Sequence, residues 1–243
     1  MFGIKSEKTG HLGIVTFCIT ESETVCRDSE TWLWEFEDAI ENFERDQMIW
    51  AVLVTSDLKS FLPERFETGP HSLGGVVDTM TKPVVAAIQK DAFGAGFELI
   101  MCCDISVCRD TSLFSIGHLK EGIIPGDGGT QRLPRIVGQG RALELLLTGR
   151  IFDAAEAEDI GLVQYVSDQN NLDLALDICR QIIDKAPISM KYIKEAVKSG
   201  LDMPLTQGLV LEADLSVILQ STKDRSEGLS SFFDRRKPKF RGH

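Results

Sequence analysis

The chain has 243 residues, 43% of them hydrophobic, and carries a formal net charge of −11. This length and hydrophobic content predict one globular domain with a large core and exclude a disordered or fibrous protein. The negative charge argues against nucleic acid and anionic membranes as partners, because both attract clustered Lys and Arg. The sequence shows neither a signal peptide nor a run of about 20 apolar residues, so we expect a soluble cytoplasmic protein.

The first half of the chain alternates between strand and helix patterns. Short β-branched, apolar segments predict strands at 13–17, 50–54, 83–88 and 105–108. Apolar residues at helical spacing predict helices at 32–43 and 96–101. Because strands and helices alternate along the chain, we expect a layered α/β core.

A glycine-rich stretch at 115–130 lies between this half and a helical second half. Its glycines let the backbone approach a ligand, and Gly128 and Gly129 lead into a helix start that favours a partial negative charge. A tight structural turn is the alternative interpretation. Further helices are predicted at 141–147, 154–160, 172–185, 188–199 and 205–221.

The cysteine and histidine content argues against a metal site. The six cysteines lie mostly in apolar runs and lack the C-x-x-C spacing of zinc sites, so we expect reduced thiols in the core. Four histidines are too few for a His-rich metal site. We therefore predict no metal.

Basic residues crowd the C-terminus of this acidic chain, namely Arg235, Arg236, Lys237, Lys239 and Arg241. Such a cluster can hold a small phosphorylated ligand, since Lys and Arg pair with phosphate oxygens. From composition alone, a solvated basic tail is an equally good interpretation.

Three groups of segments, in order along the chain, carry a family resemblance. AFGAGFEL at 92–99, closed by CDI at 103–105, resembles the glycine-rich turn and first catalytic Glu of the crotonase (enoyl-CoA hydratase/isomerase) family. GIIPGDGGTQRLPR at 122–135 resembles its second catalytic segment. Motifs of its helical C-terminal region follow at 147–150, 161–163, 224–233 and 235–237. The resemblance is good from about Lys82 to the end and poor before it.

This resemblance implies an α/β fold, a crotonase-like spiral of ββα repeats with a C-terminal helical region. Residues 1–185 would form the spiral core, and residues 186–243 would contact CoA and pack between the subunits of a homotrimer or hexamer. The substrate would be an acyl thioester, with CoA as part of the substrate and no cofactor required. In this family, two backbone N–H groups form an oxyanion hole that stabilises an enolate.

Glu98 falls on the first catalytic Glu of the family. Its apolar neighbours predict a desolvated carboxyl group suited to general acid or base chemistry. An ion pair with Arg132 or Arg135 is the structural alternative. Ala95 falls on a Gly that donates one oxyanion N–H in the family, and the Ala amide keeps that donor.

The second oxyanion donor would come from the segment 60–65. Pro63, which has no N–H, stands on the donor position. We expect the Leu62 or Glu64 amide to replace it, or an oxyanion hole with a single donor. Gly126, in the turn of the second catalytic segment, is expected to lie at the substrate site.

His118 stands where hydratases of this family place a second Glu. Asp127 follows across a tight turn that could fold it back onto the imidazole, and a His oriented by a carboxylate is a competent general base. The β-diketone hydrolases of the family carry a similar pair in an HxxxGxxPGDG frame, which this chain has at 118–128. In the structural alternative, His118 lines the cavity and Asp127 caps the following helix.

The C-terminal tail argues against a hydrolase that acts without CoA. It resembles the tail that brings an aromatic ring and a basic group to the adenine and the ribose 3′-phosphate in CoA-binding members. The resemblance assigns these contacts to Arg236, Lys237, Phe240 and Arg241.

Three functions are compatible with these residues. The first is an enzyme that adds or removes water on an acyl-CoA or carrier-bound thioester, as an enoyl-CoA hydratase or a β-keto acyl-CoA hydrolase. The second is a CoA-independent β-diketone hydrolase. The third is a non-catalytic assembly partner with this fold, which Pro63 and the divergent N-terminal part favour.

Overall fold

The described strands of this protein form two β-sheets. The structure, a computed structural model, describes residues 2–19, 31–62, 72–168 and 170–243. The strands in these ranges are β1 (Phe2–Thr9), β2 (Leu12–Ile19), β3 (Ala51–Ser56), β4 (Val84–Ile88), β5 (Ala92–Phe93), β6 (Ile105–Arg109), β7 (Leu113–Ser115), β8 (Phe152–Asp153) and β9 (Tyr165–Ser167). The larger sheet has the order β1-β2-β3-β4-β6-β9 and the smaller one β5-β7-β8.

The larger sheet is parallel apart from its first hairpin. β1 and β2 pair antiparallel, whereas β2-β3, β3-β4, β4-β6 and β6-β9 pair parallel. Every residue of β3 and β4 is buried, as expected for parallel strands that are covered on both faces. The carboxyl ends of β3 and β4 therefore lie at the same edge of the sheet.

The helices flank this sheet and form the C-terminal part. They are α1 (Thr31–Arg45), α2 (Leu73–Asp78), α3 (Ala95–Ile100), α4 (Gly129–Val137), α5 (Gln139–Thr148), α6 (Ala154–Asp159), α7 (Asn171–Ile183), α8 (Pro187–Leu201), α9 (Leu205–Leu219) and α10 (Lys223–Phe233). A 3-10 helix spans Gly117–Glu121 between β7 and α4.

The core lies on both faces of the larger sheet, because neighbouring strand residues point to opposite sides. Val52 and Val54 of β3 belong to the cluster that contains the apolar face of α1. Ala51 and Leu53 belong to a second cluster with α7. The two helices thus enclose the strands that lead to the candidate site.

The predicted α/β fold class is confirmed. Each strand and helix whose first and last residues were predicted agrees with the structure to within two residues at each end. The elements that were not predicted include β1, α2, α10 and the shortest strands. β1 is an exposed, polar edge strand; α2 contains two glycines; α10 has polar residues on most of its surface. These three elements lack the apolar periodicity on which the predictions rest.

A partly buried ion pair connects the C-terminal helices to the core. Lys194 of α8 donates to Asp104 Oδ2 at 2.6 Å and to the Lys82 carbonyl at 2.9 Å. Asp104 Oδ2 also accepts from the N–H of Val84, at the start of β4. The division of the chain at residue 185 remains a prediction.

In the described ranges, no helix is long and apolar enough to cross a membrane. The cysteines within these ranges, which leave out Cys26, are free. Burial raises the pKa of Cys102, Cys108 and Cys179 to about 12, so these thiols are neutral at physiological pH. The cytoplasmic location remains a prediction.

Candidate active site

Glu98 is fully buried on α3 and is held by the backbone of the second catalytic segment. Gly94, with φ of 51°, allows the chain to turn from β5 into this helix. Glu98 Oε1 accepts the N–H of Asp127 at 2.9 Å and the N–H of Gly129 at 2.8 Å. Two donors on one oxygen fix the orientation of the carboxyl group and leave Oε2 free of them.

His118 lies next to the other oxygen of this carboxyl group. Its Nε2 is 3.2 Å from Glu98 Oε2, and its side chain is 13% exposed. Within the described residues, Glu98 Oε2 and His118 Nδ1 are buried and have no hydrogen-bond partner. Unpartnered buried polar atoms are costly, and they are typical of sites that bind a polar substrate or water.

The structural alternative for Glu98, an ion pair with an arginine, is wrong. Arg132 pairs with Asp78 at 3.1 Å, and Arg135 lies 3.9 Å from Asp202. The basic side chain that contacts Glu98 is that of His118.

The predicted contact between Asp127 and His118 is also wrong. Asp127 Oδ2 accepts the N–H of Gly74 at 2.6 Å, and Oδ1 accepts the hydroxyl of Ser72. The carboxylate therefore lies at the start of α2, and it does not cap the following helix α4, whose N-cap is Gly128. The turn directs the Asp127 backbone N–H, not its side chain, towards Glu98.

A pocket of about 310 Å³ opens beside this pair. Ala95 and His118 both line it, together with Phe93, Gly94, Ser115, Gly117, Lys120, Glu121, Ile123 and Ile151. As the first residue of α3, Ala95 has no acceptor for its N–H within the helix. Among the described residues, no backbone oxygen outside the helix accepts from it either. The pocket thus offers one backbone donor next to one imidazole.

The other predicted substrate-site residues have different outcomes. Pro63 and Glu64 lie outside the described residues. Leu62 is buried. Its backbone nitrogen would lie 3.3 Å from a Cβ added at Gly96, the residue after Ala95, so Leu62 packs against the start of α3. Gly126 is exposed and precedes the Asp127 N–H that binds Glu98.

The C-terminal tail contacts α10, the residue that follows α7, and the chain before β3. Arg236 pairs with Glu227 at 2.6 Å, and Lys237 lies 3.3 Å from Asp184. The Arg241 N–H donates to Asp224 at 2.8 Å. Phe240 lies 3.8 Å from a Cβ added at Gly228.

Within one chain, the tail and the pocket lie at opposite ends of the larger sheet. A Cβ at Gly242 would lie 3.2 Å from Pro187 Cγ and 4.0 Å from the Nε1 of Trp50, which directly precedes β3. Ala95, by contrast, follows the carboxyl end of β4. At about 3.3 Å per residue, strands of this length span roughly 17 Å. The end of the tail and the pocket are thus separated by about the length of one strand, and the CoA contacts of Arg236, Lys237, Phe240 and Arg241 remain predictions.

Sequence reasoning missed Ser72 and Gly74, which hold the Asp127 carboxylate. Ser72 caps α2 by accepting the N–H of Gly75 at 2.7 Å. A Ser before an apolar residue is a helix-start signal, but Gly74 and Gly75 follow, and glycine disfavours a helix. In the described ranges, no group of three His, Cys, Asp or Glu residues could hold a metal ion.

Known proteins resemble this chain over most of its length. The family model for enoyl-CoA hydratase/isomerase matches residues 66–243. The mitochondrial methylglutaconyl-CoA hydratase of Mus musculus is 32% identical over 251 aligned residues, which cover 95% of this chain and 80% of the mouse protein. The similarity thus extends further towards the N-terminus than the sequence motifs indicated.

Solved structures show the same fold. An enoyl-CoA hydratase from Bacillus anthracis superposes with a TM-score of 0.87 at 30% identity, covering 99% of this chain and all of that one. An enoyl-CoA hydratase from Polaromonas sp. JS666 gives a TM-score of 0.86 at 27% identity, covering 98% of this chain and 100% of that one. With its buried Glu98 on α3 and the family match over most of its length, this chain belongs to the enoyl-CoA hydratase/isomerase (crotonase) family.

Proposed function

We propose that this chain adds water to an enoyl-CoA thioester, or removes it, with His118 as the general acid–base residue and Glu98 as its partner. The observation that carries the proposal is the 3.2 Å contact between Glu98 Oε2 and His118 Nε2 beside the pocket that Ala95 lines. The family membership supports an acyl-CoA substrate.

In the proposed hydration, the oxygen of water bonds to C3 of the enoyl thioester while the imidazole takes a proton from the water. The π electrons of the double bond move towards the thioester, whose oxygen becomes an enolate oxygen. The Ala95 N–H donates to this oxygen, which is worth about 3 kcal/mol for one well-placed donor. The proton then returns from the pair to C2, and dehydration is the reverse.

The orientation of the Glu98 carboxylate supports a general acid–base role for His118, which stands at the position of the family's second Glu. Since Glu98 Oε1 is bound to two backbone donors, only Oε2 is available to orient the imidazole. A carboxylate at one ring nitrogen fixes the tautomer and stabilises the imidazolium, so the other nitrogen can accept a proton. His118, unlike Glu98, lines the pocket, and it is the group proposed to contact the substrate.

We also propose that the protein is a homotrimer or hexamer in which the tail of one subunit serves the pocket of another. The C-terminal helices expose apolar side chains, among them Leu205, Val217, Phe232 and Phe233. A large exposed apolar surface favours burial between subunits. Arg236, Lys237, Phe240 and Arg241 would then contact the CoA of a neighbouring subunit.

The test is an assay with a 2-enoyl-CoA that follows the loss of the conjugated thioester absorbance. Glu98→Gln and His118→Ala are each expected to lower kcat by about 10²- to 10⁴-fold, since general acid–base catalysis contributes that much. Glu158→Gln is the control, because Glu158 is an exposed residue of α6. It should leave the rate unchanged.

The products separate this proposal from its rivals. Free thiol release from a β-keto acyl-CoA, without hydration, would identify a thioester hydrolase. Cleavage of a β-diketone without CoA affinity would identify a diketone hydrolase, although the His118–Asp127 contact that motivated it is absent. No turnover of any of these substrates would identify a non-catalytic protein.

A further inference from the structure

Resting on the proposed function, we propose that Ser72 is a positioning residue: it holds Asp127, and Asp127 in turn places the two N–H groups that orient Glu98. The contact joins residues 55 positions apart in sequence. It gives Asp127 a role that differs from the pairing with His118 expected from sequence.

The Asp127 side chain is anchored on α2. Its two oxygens accept from the Ser72 hydroxyl and from the Gly74 N–H, and the residue is 4% exposed. A buried carboxylate without donors would be costly, so these two contacts decide where the side chain can lie. The Ser72 hydroxyl also accepts from the Gly75 N–H, which ties the contact to the start of α2.

The Asp127 backbone faces the opposite way, towards the catalytic pair. Its N–H and that of Gly129 donate to Glu98 Oε1 at 2.9 and 2.8 Å. Arg132 holds the Asp127 carbonyl at 2.9 Å and pairs with Asp78 at the end of α2. Both ends of α2 are therefore connected to the short segment that orients Glu98.

Packing leaves little space for this segment to move. A Cβ at Gly74 would lie 2.5 Å from Cys102 Sγ and 3.1 Å from both Asp127 carboxylate oxygens. A Cβ at Gly129 would lie 2.9 Å from Glu98 Oε1. Because the carboxylate and the amide both belong to Asp127, a displacement at Ser72 is transmitted to Glu98 within a single residue.

The kinetic test compares Ser72→Ala with a matched removal of a helix-capping hydroxyl. Partners that orient a functional group typically contribute 10- to 100-fold, so kcat for the 2-enoyl-CoA should fall by about tenfold with KM nearly unchanged. Ser72→Thr, which keeps the hydroxyl, should restore most of the rate. Thr222→Ala removes the cap of α10, whose hydroxyl accepts from Arg225 N–H at 3.2 Å, and should leave kcat unchanged.

A second measurement does not depend on activity. Amide hydrogen exchange of the peptide that covers residues 122–132 should be faster in Ser72→Ala than in either the wild type or Thr222→Ala. Without the Ser72 contact, the Asp127 and Gly129 amides are held less firmly against Glu98 Oε1. If the wild type hydrates no enoyl thioester, the proposed function fails, and the exchange result alone decides on Ser72. Unchanged exchange, or an unchanged kcat in an active enzyme, overturns the positioning role.

Discussion

Gly129 is the residue at which the backbone approaches Glu98 most closely. A Cβ there would lie 2.7 Å from Ile116 Cδ1, 2.8 Å from Pro125 Cβ and 2.9 Å from Glu98 Oε1. We expect Gly129→Ala to push the carboxyl group out of position, lowering kcat at least tenfold, and to destabilise the fold by about 1–3 kcal/mol through overpacking. Enzyme kinetics and denaturant unfolding measure the two effects.

Gly140 is the matched control for this substitution. It also lies early in a helix, α5, but a Cβ added there would have no atom within 4 Å. Gly140→Ala should retain activity and raise the free energy of unfolding by up to about 1 kcal/mol, because Ala is the better helix residue. Equal behaviour of the two variants would contradict the close approach at Gly129.

At the same residue scale, the structure brings together Glu98 and His118, which the sequence had assigned to one site, but the predicted contact between His118 and Asp127 is wrong. Glu98 and His118 could be identified because their motifs are local. The partner of His118 could not, since a tight turn can direct either the Asp127 side chain or its backbone inwards. In the structure the Asp127 side chain contacts Ser72, which lies in a distant segment, and no local pattern in the sequence reveals such a contact.

At the scale of single elements, Lys82 closes the C-terminal end of α1. Its side chain is buried. Nζ donates to the carbonyl of Phe43, in the last turn of α1, at 2.5 Å, and to the carbonyl of Asp46, the residue after α1, at 2.7 Å. Burial lowers the pKa of this Lys from 10.5 to about 8. The charged form is thus disfavoured in the folded protein compared with the unfolded chain.

This pKa predicts a pH dependence of stability with a definite sign. Between about pH 8 and 10.5 the unfolded chain binds more protons at Lys82 than the folded chain does, so the free energy of unfolding should rise with pH. Relative to Lys82→Met, the wild type should gain about 1–2 kcal/mol between pH 7 and 9.5. Parallel urea titrations of both proteins measure this gain, and a difference that does not change with pH would refute it.

Elements with an apolar face were predictable, and the others were not. α1 and α7 show their core positions in the sequence because each covers one face of the sheet. α2 does not, because two of its six residues are glycines, one of which, Gly74, donates its N–H to Asp127. A site that depends on such an element can be found only once the chain is folded.

At the scale of the whole molecule, the exposed apolar surface of the C-terminal helices supports the proposed assembly of subunits. α9, which the structure describes in full, buries only Leu215, while Leu205 is 77% and Val217 70% exposed. The basic tail lies beyond α10, near the amino end of β3. In the proposed assembly, neighbouring subunits would cover this apolar surface, and the tail of one subunit would lie beside the pocket of another.

A crystal structure of the protein with acetoacetyl-CoA would test the proposed site and assembly together. We expect the thioester oxygen at about 3 Å from the Ala95 nitrogen, His118 at the β-carbon with Glu98 behind it, and the adenine beside the tail of another subunit. A thioester bound away from Ala95, or a His118 turned from Glu98 to Asp127, would contradict the proposal.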